Sequence, residues 1–200
     1  MRKPLVALFV TLSLLAGCGS VRLVDSDVQA ISTLPAGAAN LAGAHYRFER
    51  LPSQATQKQY PRIEALAEAA LARAGLVRDE AGAKLSVQVG ARVESFLVDR
   101  WGSPWADPWW PGSYGHVMYG GGPPFWGFGM RYPPSTAYKR EVSLILRELR
   151  SGQVVYETHA VHDGPWHDSE PVLGAMFDAA LKDFPHPPAG VRRVNVEIPR

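Results

Sequence analysis

The stretch that decides the fold is residues 85–94, which read LSVQVGARVE. Apolar side chains alternate with polar ones along it, as they do in a β-strand that turns one face to a core and the other to solvent. The stretch therefore predicts a half-buried strand, and the segments on either side predict what it packs against and pairs with. The apolar positions are Leu85, Val87, Val89, Ala91 and Val93.

Upstream of this strand, the sequence predicts one more strand and a helix. Residues 45–51 alternate in the same way. In residues 61–75 apolar side chains recur at helical spacing, and Pro61 suits the first turn of a helix. Gly75 followed by Leu76 is typical of a Schellman-type helix end.

Downstream, residues 138–149 and 153–162 are two β-type runs joined by the short turn 150–152. This arrangement predicts an antiparallel hairpin. A second helix is predicted over 169–184, because a capping residue precedes it, apolar side chains form one face and a proline follows. Residues 194–198 predict a last alternating strand.

The order of these elements predicts an α+β fold built as a two-layer sandwich. We expect a mixed, mainly antiparallel sheet of four to six strands with two helices on one face. A single domain is expected over 45–200. Residues 18–44 are expected as an N-terminal segment and linker, within which 21–29 has a weak pattern that indicates an edge strand or a tether.

The first residues of the chain have the features of an export signal. Arg2 and Lys3 precede a short apolar run, and small residues lead into Cys18. The run is too short for a hydrocarbon core of about 30 Å. Residues 1–17 are therefore predicted to be a signal peptide, with a plain secretory peptide as the alternative.

The segment ending at Cys18 resembles a bacterial lipobox. The resemblance implies cleavage before Cys18 and acylation of its sulfur and its new amine. Two or three acyl chains would hold the protein on a membrane persistently. Gly19 follows where an aspartate would favour the inner membrane, so the resemblance implies an outer-membrane lipoprotein whose domain faces the periplasm.

Charge and cysteine content exclude several classes of function. Without Arg2 and Lys3, the 21 basic residues fall to 19 and equal the 19 acidic ones. This balance argues against nucleic acid as a partner, since such binding depends on concentrated Lys and Arg. Cys18 is the single cysteine, so we expect no disulfide, thiolate metal site or cysteine nucleophile.

Residues 101–134 form an insertion rich in aromatic side chains, glycine and proline. Glycine and proline at this density disfavour a long helix or a central strand, and a loop of this length is usually either functional or disordered. Its candidate interaction residues are Trp101, Trp105, Trp109, Trp110, Tyr114, Tyr119, Phe125, Trp126 and Phe128.

Four interpretations of this insertion remain open. It is a loop that shields its rings on the sheet, a surface for a protein partner, a segment that enters the membrane interface, or a platform on which sugar rings stack. The functional hypothesis taken forward is the partner surface.

The histidines offer little chemistry. His159, His162 and His167 lie close in sequence, but side chains three apart on a strand point to opposite faces and would not converge on one ion. No nucleophile elbow or zinc-protease helix occurs. We expect no metal, no cofactor and no enzymatic activity; an enzyme would have a polar cleft that involves His159 or His162.

Several features follow one another in a characteristic order along residues 20–187. They are Tyr46 and Phe48 on the first strand, the helix at 63–76, the strand at 83–87, the aromatic insertion, the hairpin at 151–156 and Phe184-Pro185 after the second helix. In this order they resemble the bacterial lipoprotein family of domain of unknown function 4136. The resemblance implies a lipid-anchored envelope protein with no established catalytic residues.

The sequence as a whole predicts a non-enzymatic, lipid-anchored protein of the cell envelope that presents residues 101–134 as an interaction surface. Two alternatives stay open. One is a module that binds glycan or peptidoglycan through the same rings, and the other is an enzyme of unknown reaction.

Overall fold

The computed structural model describes residues 21–34, 41–98 and 135–200. In this part of the chain it shows an α+β fold with one mixed sheet of seven strands and three helices. The helices are α1 (Pro52–Ala55), α2 (Tyr60–Arg73) and α3 (Ser169–Ala180). The strands are β1 (Val21–Ser32), β2 (His45–Phe48), β3 (Val77–Arg78), β4 (Leu85–Val98), β5 (Ser135–Glu148), β6 (Val154–Gly164) and β7 (Val191–Pro199).

The order of strands across the sheet is β3-β2-β4-β5-β6-β1-β7. β2 runs parallel to both β3 and β4, and the other four pairings are antiparallel. The predicted width of four to six strands was too small. The sheet is wider because β3, only two residues long, adds to one edge and because β1 is a full strand.

The largest difference from the sequence-based expectation concerns β1. Residues 21–29 were expected to form an edge strand or a tether, but Val21–Ser32 lies between β6 and β7 and pairs with both. Its inward positions include a serine between two valines, which weakens the apolar contrast that marks a strand. The four buried positions are Val24, Ser26, Val28 and Ala30.

The helices α2 and α3 lie together on one face of the sheet. The Tyr60 hydroxyl donates to the carbonyl of Val89 over 2.9 Å, and Thr158 donates to the carbonyl of Ala180 over 2.9 Å. These bonds tie α2 to β4 and α3 to β6. The largest fully buried apolar side chains between the layers are Tyr46, Tyr156, Phe177, Leu71, Leu144, Leu146 and Met176.

The predicted glycine stop of α2 and the turn at 150–152 are confirmed, whereas α3 ends at Ala180 rather than at 184 and Asp168 forms no side-chain capping bond. The amide of Leu76 donates to the carbonyl of Leu71 over 3.0 Å, and Gly75 has φ +91°, which together form the expected Schellman end of α2. The hairpin between β5 and β6 closes with a bond from the Glu148 amide to the Gln153 carbonyl.

The other face of the sheet carries no helix in the described ranges. Alternation on the strands places charged side chains there, and neighbouring charges have opposite signs. Arg92 lies opposite Glu141, and Asp27 lies opposite Arg193, whose Nε is 3.1 Å from the aspartate Oδ1. One face of the sheet is therefore mainly apolar and packed against helices, whereas the other carries charged side chains and no helix in the described ranges.

Candidate functional site

Both ends of the aromatic insertion leave the sheet at one place. Val98 and Ser135 are register partners at the open end of the β4–β5 hairpin, so the chain departs from and returns to neighbouring strands. The insertion itself lies outside the described residues. So do the predicted site residues Cys18, Trp101, Trp105, Trp109, Trp110, Tyr114, Tyr119, Phe125, Trp126 and Phe128.

The start of β1 lies at the same end of the sheet. Tyr138 is paired with Gly164, and continuing the antiparallel register from Asp27 and Val161 brings Val24 level with Gly164. β1 is two strands away from β5, which corresponds to about 10 Å across the sheet.

We call this region the loop-bearing end and define it by four short ranges: 21–23, 95–98, 135–139 and 163–164.

Four large apolar side chains are exposed at the loop-bearing end. Leu97 is 70% exposed, Val21 61%, Leu23 48% and Phe96 43%. Beside Phe96 lies an open depression whose other lining residues are polar or charged: Glu94, Ser95, Lys139 and Asp163.

Beneath this surface lies a buried arginine. Arg140 is fully buried on the helix-covered face. Its Nε donates to the hydroxyl of Ser169 over 3.1 Å, and a second guanidinium nitrogen donates to the carbonyl of Trp166. Among the described residues no carboxylate forms an ion pair with it, and burial lowers the pKa of Arg140.

A histidine lies next to this arginine. His162 is the register partner of Arg140 and is only 3% exposed. Its Nδ1 is 2.6 Å from the carbonyl oxygen of Asp25, so this nitrogen carries a proton. The imidazole stacks on Trp166 with ring centres 6.0 Å apart. We call Arg140, His162 and the buried Ser26 the buried polar cluster.

An ion pair joins β1 to the start of α3 beside this cluster. Two guanidinium nitrogens of Arg22 lie 2.7 and 2.6 Å from the two carboxylate oxygens of Asp168, the residue that precedes α3. The hydrogen bond from Arg22 lowers the pKa of Asp168. The carboxylate also suits the positive end of the helix dipole. The pair fixes the first residues of β1 against the helical layer.

The geometry brings only some of the sequence candidates together. His159 is exposed on the helix-free face, whereas His162 is buried on the other, so the two imidazoles do not share a cleft. In the ranges 21–34, 41–98 and 135–200, no three His, Cys, Asp or Glu side chains are grouped as metal ligands.

Sequence reasoning missed Arg140 and Ser26. A signal for Arg140 was present, because position 140 is in phase with the inward-facing Val142, Leu144 and Leu146. Because a charged arginine usually faces solvent, the sequence pattern did not indicate that position 140 is buried.

Within the part of the chain described here, no helix combines the length and the apolar character that crossing a bilayer requires.

Comparison with known proteins gives a family and a fold. The family described as "Domain of unknown function (DUF4136)" matches residues 35–186. No curated protein matches significantly.

A crystal structure of a PDZ domain protein from Parabacteroides distasonis is 13% identical with a TM-score of 0.51, covering 96% of this chain and 42% of that one. This chain thus spans less than half the length of that protein, and the likeness concerns the fold alone. The PelC dodecamer from Paraburkholderia phytofirmans is 12% identical with a TM-score of 0.45, covering 78% of this chain and 94% of that one.

Proposed function

This chain belongs to the DUF4136 family, and we propose that it is a lipid-anchored protein of the bacterial outer membrane that binds an envelope partner through residues 101–134. The role is non-enzymatic, and the domain faces the periplasm. The observation that supports this proposal most is the register pairing of Val98 with Ser135, because it shows that the insertion connects two neighbouring, paired strands.

The two strands that flank the insertion, β4 and β5, are suited to presenting a binding loop. β4 and β5 are 14 residues each and pair along their whole length. Their inward side chains Val87, Leu144 and Leu146 are fully buried. A loop held by a rigid scaffold can carry binding residues without contributing to the core, which is the usual arrangement in binding proteins.

The aromatic content of the insertion supports a protein partner. Exposed Trp and Tyr provide a large contact area with little loss of conformational entropy, and they dominate binding hot spots.

A hairpin deletion tests this function. Because Val98 and Ser135 face each other in register, residues 99–134 can be replaced by an Asn-Gly turn that closes the hairpin directly. Photo-crosslinking residues at Trp109 and Trp126 in the full chain are expected to capture a partner in cells. The deletion variant lacks positions 109 and 126, so it carries the crosslinking residue at Phe96. It should fold cooperatively and no longer capture that partner.

The control position is Arg150, which is 91% exposed at the opposite end of the sheet and should not capture the same partner. The same partner captured from Arg150, or by the deletion variant, would contradict the proposal. Crosslinks to glycan strands in place of protein would identify the glycan-binding alternative.

The anchor has a separate test. Mass spectrometry of the mature protein should show cleavage before Cys18 and fatty acids on that residue. An unprocessed first peptide, or a mature chain without acyl groups, would refute the lipid anchor whatever the insertion binds.

A further inference from the structure

The position of the anchor relative to the fold is fixed by a short connection. Two residues separate Cys18 from Val21, the first residue of β1. A fully extended chain of this length places the two Cα atoms at most roughly 11 Å apart. An acylated Cys18 would therefore keep the start of β1 close to the lipid headgroups.

The start of β1 is held firmly in the domain. Val21 pairs with Pro199 of β7, and Arg22 forms the bidentate ion pair with Asp168, the residue that precedes α3. A short connection to a fixed strand restricts the domain's orientation far more than a long linker would. This restriction would hold the start of β1, which is part of the loop-bearing end, near the bilayer.

The side chains at this end suit that environment. Val21, Leu23, Phe96 and Leu97 are between 43% and 70% exposed. The neighbouring charges are largely offset by partners on the protein: Arg22 by Asp168, and Lys139 by Glu141 at 3.5 Å. Exposed apolar and aromatic side chains favour the boundary between headgroups and acyl chains, and paired charges limit electrostatic attraction to anionic lipid.

We propose that the loop-bearing end is a membrane-contacting surface, in which Val21, Leu23, Phe96 and Leu97 touch the phospholipid bilayer. This inference rests on the lipid anchor at Cys18 in the proposed function. The strands then point away from the membrane, and the insertion begins at the bilayer surface. Its partner is accordingly a component that is reached at, or immediately above, the lipid headgroups.

Fluorescence quenching tests this orientation on the lipidated full chain. Acylation occupies the sulfur of Cys18, the single natural cysteine, so one introduced cysteine provides a unique thiol for an environment-sensitive dye. The labelled variants are Leu23→Cys and Leu97→Cys at the loop-bearing end, with Leu149→Cys, 36% exposed at the opposite end, as the matched control.

The reconstituted vesicles contain phosphatidylethanolamine and phosphatidylglycerol, with and without a lipid that carries a quencher near the headgroup. We expect at least threefold stronger quenching at positions 23 and 97 than at 149. Equal quenching at all three positions, or the strongest quenching at 149, would overturn the proposed orientation.

A second variant separates apolar contact from mere proximity. With the dye on Phe96→Cys, the added pair Leu23→Asp and Leu97→Asp should reduce quenching several-fold, whereas Ile31→Asp, at the other end of β1, should leave it unchanged. Quenching that the aspartates do not reduce would contradict direct contact of these side chains with lipid.

The two proposals can fail separately. If the chain is acylated and position 109 captures a partner but position 97 is not quenched, the membrane-contacting surface is wrong and the proposed function stands. If mass spectrometry finds no fatty acid, the anchor fails and the orientation fails with it.

Discussion

The two ends of the helix-covered sheet face are built from the same strands but from different chemistry. At the end nearest the 150–152 turn, Leu146 lies opposite Tyr156 and both are fully buried. At the loop-bearing end, Arg140 lies opposite His162 and both are again buried. Apolar packing therefore supports one end, and hydrogen bonds with an ion pair support the other.

The comparison shows what each end depends on. An apolar core loses stability mainly when a side chain is shortened, because a cavity remains. A buried polar cluster depends on geometry and on the charge of its neighbours, because a buried donor without a partner is expensive. The two ends should accordingly respond to different perturbations.

The largest effect is expected at the turn end. Leu144 is fully buried, and Leu144→Ala should lower the free energy of unfolding by about 2–5 kcal/mol through lost burial and a residual cavity. Urea denaturation measures this change. Leu97→Ala, with a side chain that is 70% exposed, should change it by less than about 0.5 kcal/mol. Similar losses for the two variants would show that the burial of Leu144 does not determine its contribution to stability.

A smaller loss is expected from crowding the buried polar cluster. A Cβ on Gly164 would lie 2.7 Å from Nε2 of His162, so Gly164→Ala must displace the imidazole and should cost about 1–3 kcal/mol. The matched control is Gly174→Ala on α3, where the new Cβ meets Leu66 at an ordinary 3.6 Å.

Because alanine favours a helix interior over glycine, that control should stabilise the protein by about 0.5–1 kcal/mol. Thermal unfolding measures both changes: the midpoint should fall for Gly164→Ala and rise for Gly174→Ala. A Gly164 variant as stable as the parent would show that the ring of His162 is not held in place.

The smallest effect is a pH dependence of the loop-bearing end. Arg22 lowers the pKa of Asp168 below its ordinary value of 3.8, so the charged carboxylate stabilises the fold fully above that value. This contribution is lost as the pH falls through the lower, folded pKa. The stability difference between the parent and Asp168→Asn should therefore be present at pH 7 and disappear in strong acid.

Unfolding midpoints across this pH range test the prediction. Arg22→Met, which removes the partner, should reduce the stability difference between aspartate and asparagine at position 168 to the smaller contribution of the helix dipole. A difference that is undiminished in the absence of Arg22 would assign the effect to another group.

Much of the fold could be predicted because its signals are local. The alternation in 85–94 lies within β4, and the glycine stop at Gly75 ends α2 as expected. The turn at 150–152 also joins β5 to β6 as predicted. Each of these signals depends on residues that are neighbours in sequence or one turn apart.

The features that escaped prediction depend on distant partners. β1 is interior because β7 pairs with it from the far end of the chain, and no local pattern contains that information. The burial of Arg140 likewise depends on Trp166 and Ser169, which accept its hydrogen bonds. The loop-bearing end can be recognised only when the sheet order places the start of β1 at the same end as the end of β4 and the start of β5.

The position of β1 also sets the order in which this protein can assemble. Among the described strands, β1 pairs only with β6 and β7, so this edge of the sheet stays incomplete until β7 has been made. Such long sequence separations slow folding. Late completion of this edge would keep β1 available for threading through a secretion channel, which the proposed route to the outer membrane requires.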